Sequence, residues 1–235
     1  MKVGVISDVH SNRVALEAVL EDMPAVDDLL CAGDVVGYNP WPGECVDAMR
    51  GVGDLGSAVR SKLRDDRSAV PTVSGNHDRA VAGGTAFGFN RMAQAGVEHA
   101  RERLSEEQLS WIEGLPTERT EYDGRVKVVH GHPDDPDRYT YPDEFSADLL
   151  DDEDVLVMGH THVQAAETYD GGIVMNPGSV GQPRDRDPRA AYAVLDLDGT
   201  SVSLHRVEYD VDAVRDAVRD AGLPSRIGER LVDGQ

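Results

Sequence analysis

Five short polar runs carry most of the residues of this 235-residue chain that could do metal or acid–base chemistry: Asp8-Val9-His10, Gly33-Asp34-Val35-Val36-Gly37, Gly75-Asn76-His77-Asp78, His130-Gly131-His132 and Gly159-His160-Thr161-His162. Six of the eight histidines fall within them, and only His99 and His205 lie elsewhere. Carboxylate, carboxamide and imidazole donors suit divalent transition metals, and the absence of cysteine from the set argues against a closed structural zinc site. Seven or more candidate ligands exceed what one ion takes. A carboxylate can bridge two cations about 3.5–4 Å apart, where both polarise a phosphate. Glycines beside the donors permit tight backbone turns. A lone Asp8 or His10 is more often a surface or satisfied polar residue, so the argument rests on the ensemble.

Each run follows an apolar stretch, and those stretches are the elements that must position it. Val3 to Ile6 reads as a strand, Asn12 to Leu20 as a helix capped by Ser11 or Asn12, Asp27 to Cys31 as a second strand, Glu44 to Arg50 as a helix and Ala69 to Val73 as a third strand. This βαβ rhythm predicts parallel strands under helices, whose loops leave one sheet edge and let the donors converge. Phe89 to Leu104 and Ser105 to Leu115 read as helices, the latter opened by the Ser105-Glu106-Glu107-Gln108 capping box. Strands are expected at 117–121, 125–129, 155–158, 165–169, 173–175, 190–196 and 201–208, several separated by Asp123-Gly124, Gly171-Gly172 and Asp198-Gly199. Those tight turns suggest antiparallel pairing. The expectation is an α/β fold, a two-sheet mixed β-sandwich flanked by helices, forming a single domain over 1–235 that closes with a helix at about 211–221.

Composition bounds the rest. Forty-four acids against 23 bases give a formal charge of −21, which disfavours a nucleic-acid clamp. Lysine occurs only at Lys2, Lys62 and Lys127, and the acids are dispersed. That pattern resembles proteins adapted to concentrated salt, where screening shortens to about 3 Å. No apolar run approaches the roughly 18 residues of a membrane span, and the amino terminus lacks the pattern of a signal peptide, so the expected location is the cytoplasm. Cys31 and Cys45 read as free thiols, Cys31 buried near a strand end.

The five runs, in this order, resemble the calcineurin-like metallophosphoesterases, whose pattern is D-x-H, G-D-x-x-[GD], G-N-H-[DE], H-G and G-H-x-H. Residues 176–185, Asn-Pro-Gly-Ser-Val-Gly-Gln-Pro-Arg-Asp, look like a small bacterial and archaeal phosphodiesterase branch of that family. The resemblance implies that Asp8, His10 and His162 hold one metal, Asn76, His130 and His160 a second, and that Asp34 bridges them. His77 matches the family's catalytic histidine, expected to stabilise the transition state or protonate the leaving oxygen, with Asp78 orienting it. It further implies two divalent ions, manganese first with iron, zinc or nickel as alternatives, and hydrolysis of a small phosphodiester by metal-bound hydroxide without a covalent intermediate. Phosphomonoesters including phosphoproteins, dinucleoside polyphosphates, a non-enzymatic scaffold resembling the metallophosphoesterase-like retromer subunit, and metal storage are the competing readings. Retention of His77 beside a full ligand set argues against the last two.

Other residues remain open between substrate and structural roles. His132 flanks Gly131 opposite His130 and is either a spare polar residue or a substrate contact. Tyr38 and Trp41 follow Asp34 closely enough to border the site, although Trp41 could simply cover a helix start. Asn90 and Arg91 could meet a phosphate or cap a helix. Ser179 and Arg184 lie in the glycine- and proline-rich loop, where Arg184 could reach a phosphate or pair with an adjacent acid. Asp134, Asp135, Asp137 and the stretch from Asp143 to Asp154 read as a solvated acidic face. Val211, Val214 and Val218 give the last helix an apolar stripe, packed on the sandwich or forming a contact between copies of the chain.

Overall fold

A computed structural model of the chain describes residues 1–63, 69–84 and 88–235. In chain order its strands are β1 (Lys2–Ile6), β2 (Asp28–Cys31), β3 (Glu118–Glu121), β4 (Val126–Val129), β5 (Val155–Val157), β6 (Ala165–Tyr169), β7 (Gly172–Asn176), β8 (Ala190–Asp196) and β9 (Ser201–Val207). The helices are α1 (Arg13–Asp22), α2 (Pro42–Met49), α3 (Gly53–Lys62), α4 (Asn76–Gly83), α5 (Arg91–Arg103), α6 (Glu106–Glu113), α7 (Val211–Asp220) and α8 (Arg226–Glu229).

The strands form two mixed sheets, β2-β1-β8-β9 and β3-β4-β5-β7-β6. β1 and β2 run parallel, joined through α1, whose buried Leu16, Val19 and Leu20 cover the sheet. Alternation in β1 divides its side chains between two cores. Val3 and Val5 meet Val126, Val155, Ile173 and Met175 of the second sheet, making the inter-sheet layer, while Ile6 joins α1 and α2 on the other face. The outer face of the second sheet, Leu156, Met158 and Val174, is covered by Phe145, Leu149 and Leu150. The expected helix-flanked sandwich is therefore present.

Three expectations are corrected. The pairs β4·β5 and β5·β7 are parallel, not antiparallel. The chain between β4 and β5 is long enough for the crossover a parallel pair needs, and the tight Gly171-Gly172 turn pairs β6 with β7 instead. Residues 69–73 make no strand: Thr72 forms one isolated bridge to Cys31, because Pro71 offers no N–H for a ladder. The stripe of α7 does not pack on a sheet. Val214 and Val218 join Leu223, Ile227 and Leu231 in a separate cluster against Tyr38 and Ala93.

Candidate metal centre

Four of the polar runs leave the ends of β1, β2, β4 and β5, and the third opens α4. Their backbones are forced into an uncommon conformation: φ is 53° at Asp8, 48° at His10, 53° at Asp34, 54° at Tyr38, 68° at His160 and 60° at His162. Left-handed non-glycine residues cost on the order of 1–3 kcal/mol each and persist where their surroundings over-determine them. Here the loops brace one another. Asp8 N–H donates to Gly33 O at 2.9 Å, His10 N–H to Asp34 O at 2.9 Å and Gly159 N–H to His130 O at 2.8 Å. His160 N–H reaches the Asp8 carboxylate at 3.1 Å.

Two groups of side chains result, Asp8, His10, Asp34 and His162, and Asp34, His130 and His160, each with ligand atoms within 4.8 Å of one another and all buried. Asp34 belongs to both. Its Oδ2 lies 3.6 Å from His10 Nε2 and 3.4 Å from His130 Nε2. The Asn76 Oδ1 stands 3.3 Å from His130 Nε2, which adds a neutral oxygen to the second group.

The outer nitrogens explain the orientation of the rings. Nδ1 of His10 is hydrogen-bonded to Val36 O, that of His130 to Ala32 O at 2.7 Å and that of His162 to Gln182 O. Each ring thus offers Nε2 inward as a lone pair, the arrangement seen for metal-ligating histidines. His160 is tied the other way, through Nε2 to Asp137 O at 3.2 Å, and offers Nδ1. Two such lone pairs, His10 Nε2 and His162 Nε2, face each other at 3.1 Å, and the buried Asp8 Oδ1, 3.2 Å from His162 Nε2, accepts no hydrogen bond among the described residues. Opposed lone pairs and an orphaned buried carboxylate oxygen are unfavourable unless a cation lies among them. The donor set fits divalent ions.

Electrostatics agree with that reading. Burial works against charge on Asp8 and Asp34, yet neighbouring histidines, His162 and His130 for Asp8 and His130 and His77 for Asp34, hold both below the usual carboxylate range. Burial lowers His10 and His162, and takes His160 down to about 4. His130 is the exception: burial opposes its charge, but Asp34 beside it raises it to about 9.

His77 borders the centre without joining either group. Its N–H donates to Asp34 Oδ1 at 2.8 Å, and its ring lies 4.7 Å from both Tyr38 and Phe89. Its buried Nδ1 has no partner, and burial lowers the ring to about 4. Gly37, at φ +103°, makes room for it, since a Cβ there would strike the imidazole. The Asp78 carboxylate, expected to orient His77, makes no hydrogen bond to that ring among the described residues. It accepts N–H bonds from Gly75, Val35 and Val36, at 3.0, 3.3 and 3.1 Å, and so fastens the Asp34 loop to the start of α4.

The remaining candidates separate. His130 enters the cluster, whereas His132 Nδ1 accepts the Asp134 N–H at 3.1 Å and shapes its own turn. Tyr38 packs 4.8 Å from His10, and its hydroxyl accepts from Arg184 Nη2 at 3.2 Å. Arg184 makes no ion pair among the described residues: neighbouring Asp185 and Asp187 are taken by Arg206 and Arg189. Ser179 is fully buried and structural, donating to Asp8 O and accepting from Gln182 N–H, both at 2.8 Å. Asn90 caps α5, and with Arg91 it lines a cleft beside Arg226 that does not include the metal-group residues. Trp41 forms the N-cap of α2.

A cavity of about 440 Å³ opens beside Asn76 and His160, walled by Arg79, Phe89, Asp137 and Tyr139. Tyr139 stacks on His160 with ring centroids 3.9 Å apart. The sequence reading missed these four residues. Arg79, immediately after the third run, carried the one available signal. Asp137 was grouped with the solvated acids, yet it pairs with Arg79 at the cavity wall.

The calcineurin-like phosphoesterase superfamily domain matches residues 1–200, and the chain belongs to that superfamily. It is accordingly a hydrolase acting on phosphoric ester bonds. An uncharacterized protein of Methanocaldococcus jannaschii is 31% identical over an alignment of 255 residues, spanning 99% of this chain and 98% of its own. Phosphodiesterase YfcE of Escherichia coli is 29% identical over 204 residues, 86% of this chain and 91% of its own. The crystal structure of a metallophosphoesterase from Sphaerobacter thermophilus superposes with a TM-score of 0.80 at 36% identity, covering 100% of this chain and 99% of its own. Among the described residues no helix is long and apolar enough to cross a membrane.

Proposed function

We propose that the chain, as one domain over 1–235, is a dinuclear metal-dependent phosphodiesterase acting on small phosphodiesters. The observation that supports this most is the shared carboxylate: Asp34 belongs to both buried ligand groups. Asp8, His10 and His162 would hold one divalent ion, Asn76, His130 and His160 the other, and Asp34 would serve both. Two such ions supply Lewis acidity toward phosphate oxygens and lower the pKa of water from 15.7 toward about 7. Manganese is the first candidate by the family resemblance, and iron, zinc or nickel could use the same imidazole, amide and carboxylate donors.

The protein's own residues do the rest. Asp78 and the backbone bonds between loops hold the donors in place before substrate arrives, which spares that reorganisation during reaction. His77 is neutral at pH 7 and carries an unpartnered ring nitrogen, so it is suited to donate an N–H bond to charge developing on phosphate or leaving oxygen. Phe89 and Tyr139 give the 440 Å³ cavity apolar walls for an organic substituent. The name of the YfcE relative favours diesters over monoesters.

The test is a screen of manganese-loaded protein against aryl phosphodiesters, aryl phosphomonoesters and dinucleoside polyphosphates. Of the two aryl esters, the diester is expected to give the higher kcat/KM. A higher value for the monoester would move the assignment to phosphomonoesterase.

A further inference from the structure

The chain carries nearly two acids for every base, yet Arg184, Arg226 and Arg230 have no carboxylate within ion-pair distance among the described residues. Arg79, Arg125, Arg189 and Arg206 each find one, whereas Arg60, Arg91, Arg101 and Arg186 also make no ion pair among the described residues, so what singles out Arg184 and Arg230 is their place beside Tyr38. Arg184 is held instead by neutral acceptors. Its Nε and Nη2 donate to Gln182 Oε1 at 3.2 and 2.8 Å, and Nη2 also reaches the Tyr38 hydroxyl. These contacts fix the guanidinium, 5.8 Å from the Tyr38 ring centroid, while its Nη1 makes no hydrogen bond among the described residues. Tyr38 itself packs against His10 and His77, so the fixed cation stands at the rim of the metal centre. The fully buried Gln182 contributes a second unmet donor there, its Nε2 having no partner.

Arg230 comes from the C-terminal arm, beyond the 1–200 superfamily match. Ile227 and Leu231, on either side of it, pack into the cluster that contains Tyr38, and the Arg230 side chain makes no hydrogen bond among the described residues. Tyr38 is the shared neighbour of Arg184 and Arg230: its hydroxyl accepts from Arg184, and its ring lies in the cluster that Ile227 and Leu231 enter on either side of Arg230. Burial and then the charges of Arg184 and Arg226 lower the Arg230 pKa, in keeping with that placement. In a chain of charge −21, that grouping is unfavourable until an anion occupies it.

We infer that Arg184 and Arg230 form an anion subsite on the Tyr38 side of the metal centre, which receives a second phosphoryl group of the substrate. The inference rests on the phosphoesterase reading and narrows it to substrates with a phosphate or pyrophosphate besides the reacting phosphoryl group. Arg184 supplies the fixed fork and Arg230 the charge that distinguishes such a substrate from a simple diester.

The test uses two non-hydrolysable probes, methylphosphonate and methylenebisphosphonate, titrated calorimetrically into the manganese-loaded protein. Chelation of metal contributes equally in wild type and variants, so the variants isolate the arginines. Wild type is expected to prefer the bisphosphonate, and Arg230→Gln to reduce that preference by about tenfold, the equivalent of roughly 1.4 kcal/mol. Arg230→Lys should restore part of it, because the charge returns without the fork. Arg184→Gln provides an independent variant with the same expected loss. A preference unchanged in both glutamine variants, or absent in wild type, overturns the subsite. Because binding is read, a protein that hydrolyses no phosphoester but shows the arginine-dependent preference would refute the catalytic reading alone.

Discussion

The loops after β1, β2, β4 and β5 are cross-braced by backbone hydrogen bonds and bury every donor of the two ligand groups. Residues 211–235 reach the same site differently, through one apolar cluster in which Val214, Val218, Ile227 and Leu231 meet Tyr38. The first region is rigid by hydrogen-bond geometry and lies within the superfamily match; the second is held by side-chain packing and lies outside it. Under the proposals above, the ligand groups lie in the part of the chain that the superfamily model matches, and the anion subsite draws Arg230 from the part that it does not. The contrast makes a clear demand: damage to the braced loops should cost metal or turnover, and damage to the arm should cost stability or ligand preference.

The largest effect is expected from Asp34→Asn, which weakens the one carboxylate shared by both groups. Metal content should fall and hydrolysis drop to background; full occupancy by elemental analysis would remove Asp34 from its bridging role. His77→Ala should retain both ions while lowering kcat by roughly 10²–10⁴-fold, the usual scale of general acid–base assistance. Turnover equal to wild type would dismiss His77. A smaller loss, about 10²-fold, is expected from Gly37→Ala, since a Cβ displaces the imidazole without touching a ligand, and small misplacements of catalytic groups have costs of that order. Metal analysis together with kinetics distinguishes this from collapse of the centre. The mildest change falls in the arm. Ile227→Val should cost about 0.5–1.5 kcal/mol and lower Tm by a few degrees, with metal content unchanged. Loss of metal from that substitution would erase the distinction between the two regions.

The residues of the two buried ligand groups were legible because each type has few uses and most of the runs follow an apolar strand. β1, α1, β2, α5, α6 and α7 were legible from periodicity and caps, such as Asn90 and Ser105. α3 was missed because Gly53 and Gly56 weaken its helical signal, and α4 because Asn76, His77 and Asp78 read as ligands rather than as a first turn. Pairing direction in the second sheet depends on long crossovers that leave no local pattern. His130 and His132 could not be separated by spacing; the strand end and the Asp134 N–H separate them. Arg230 was invisible for another reason: its meaning comes from sharing the Tyr38 neighbourhood with Arg184 and from making no ion pair among the described residues, and both are properties of tertiary structure.

The most direct measurement is anomalous diffraction at the manganese edge from crystals of the manganese-loaded protein. Two peaks about 3.5–4 Å apart, with the Asp34 carboxylate between them, are predicted. A single peak, or a pair of which only one lies against Asp34, would contradict the account.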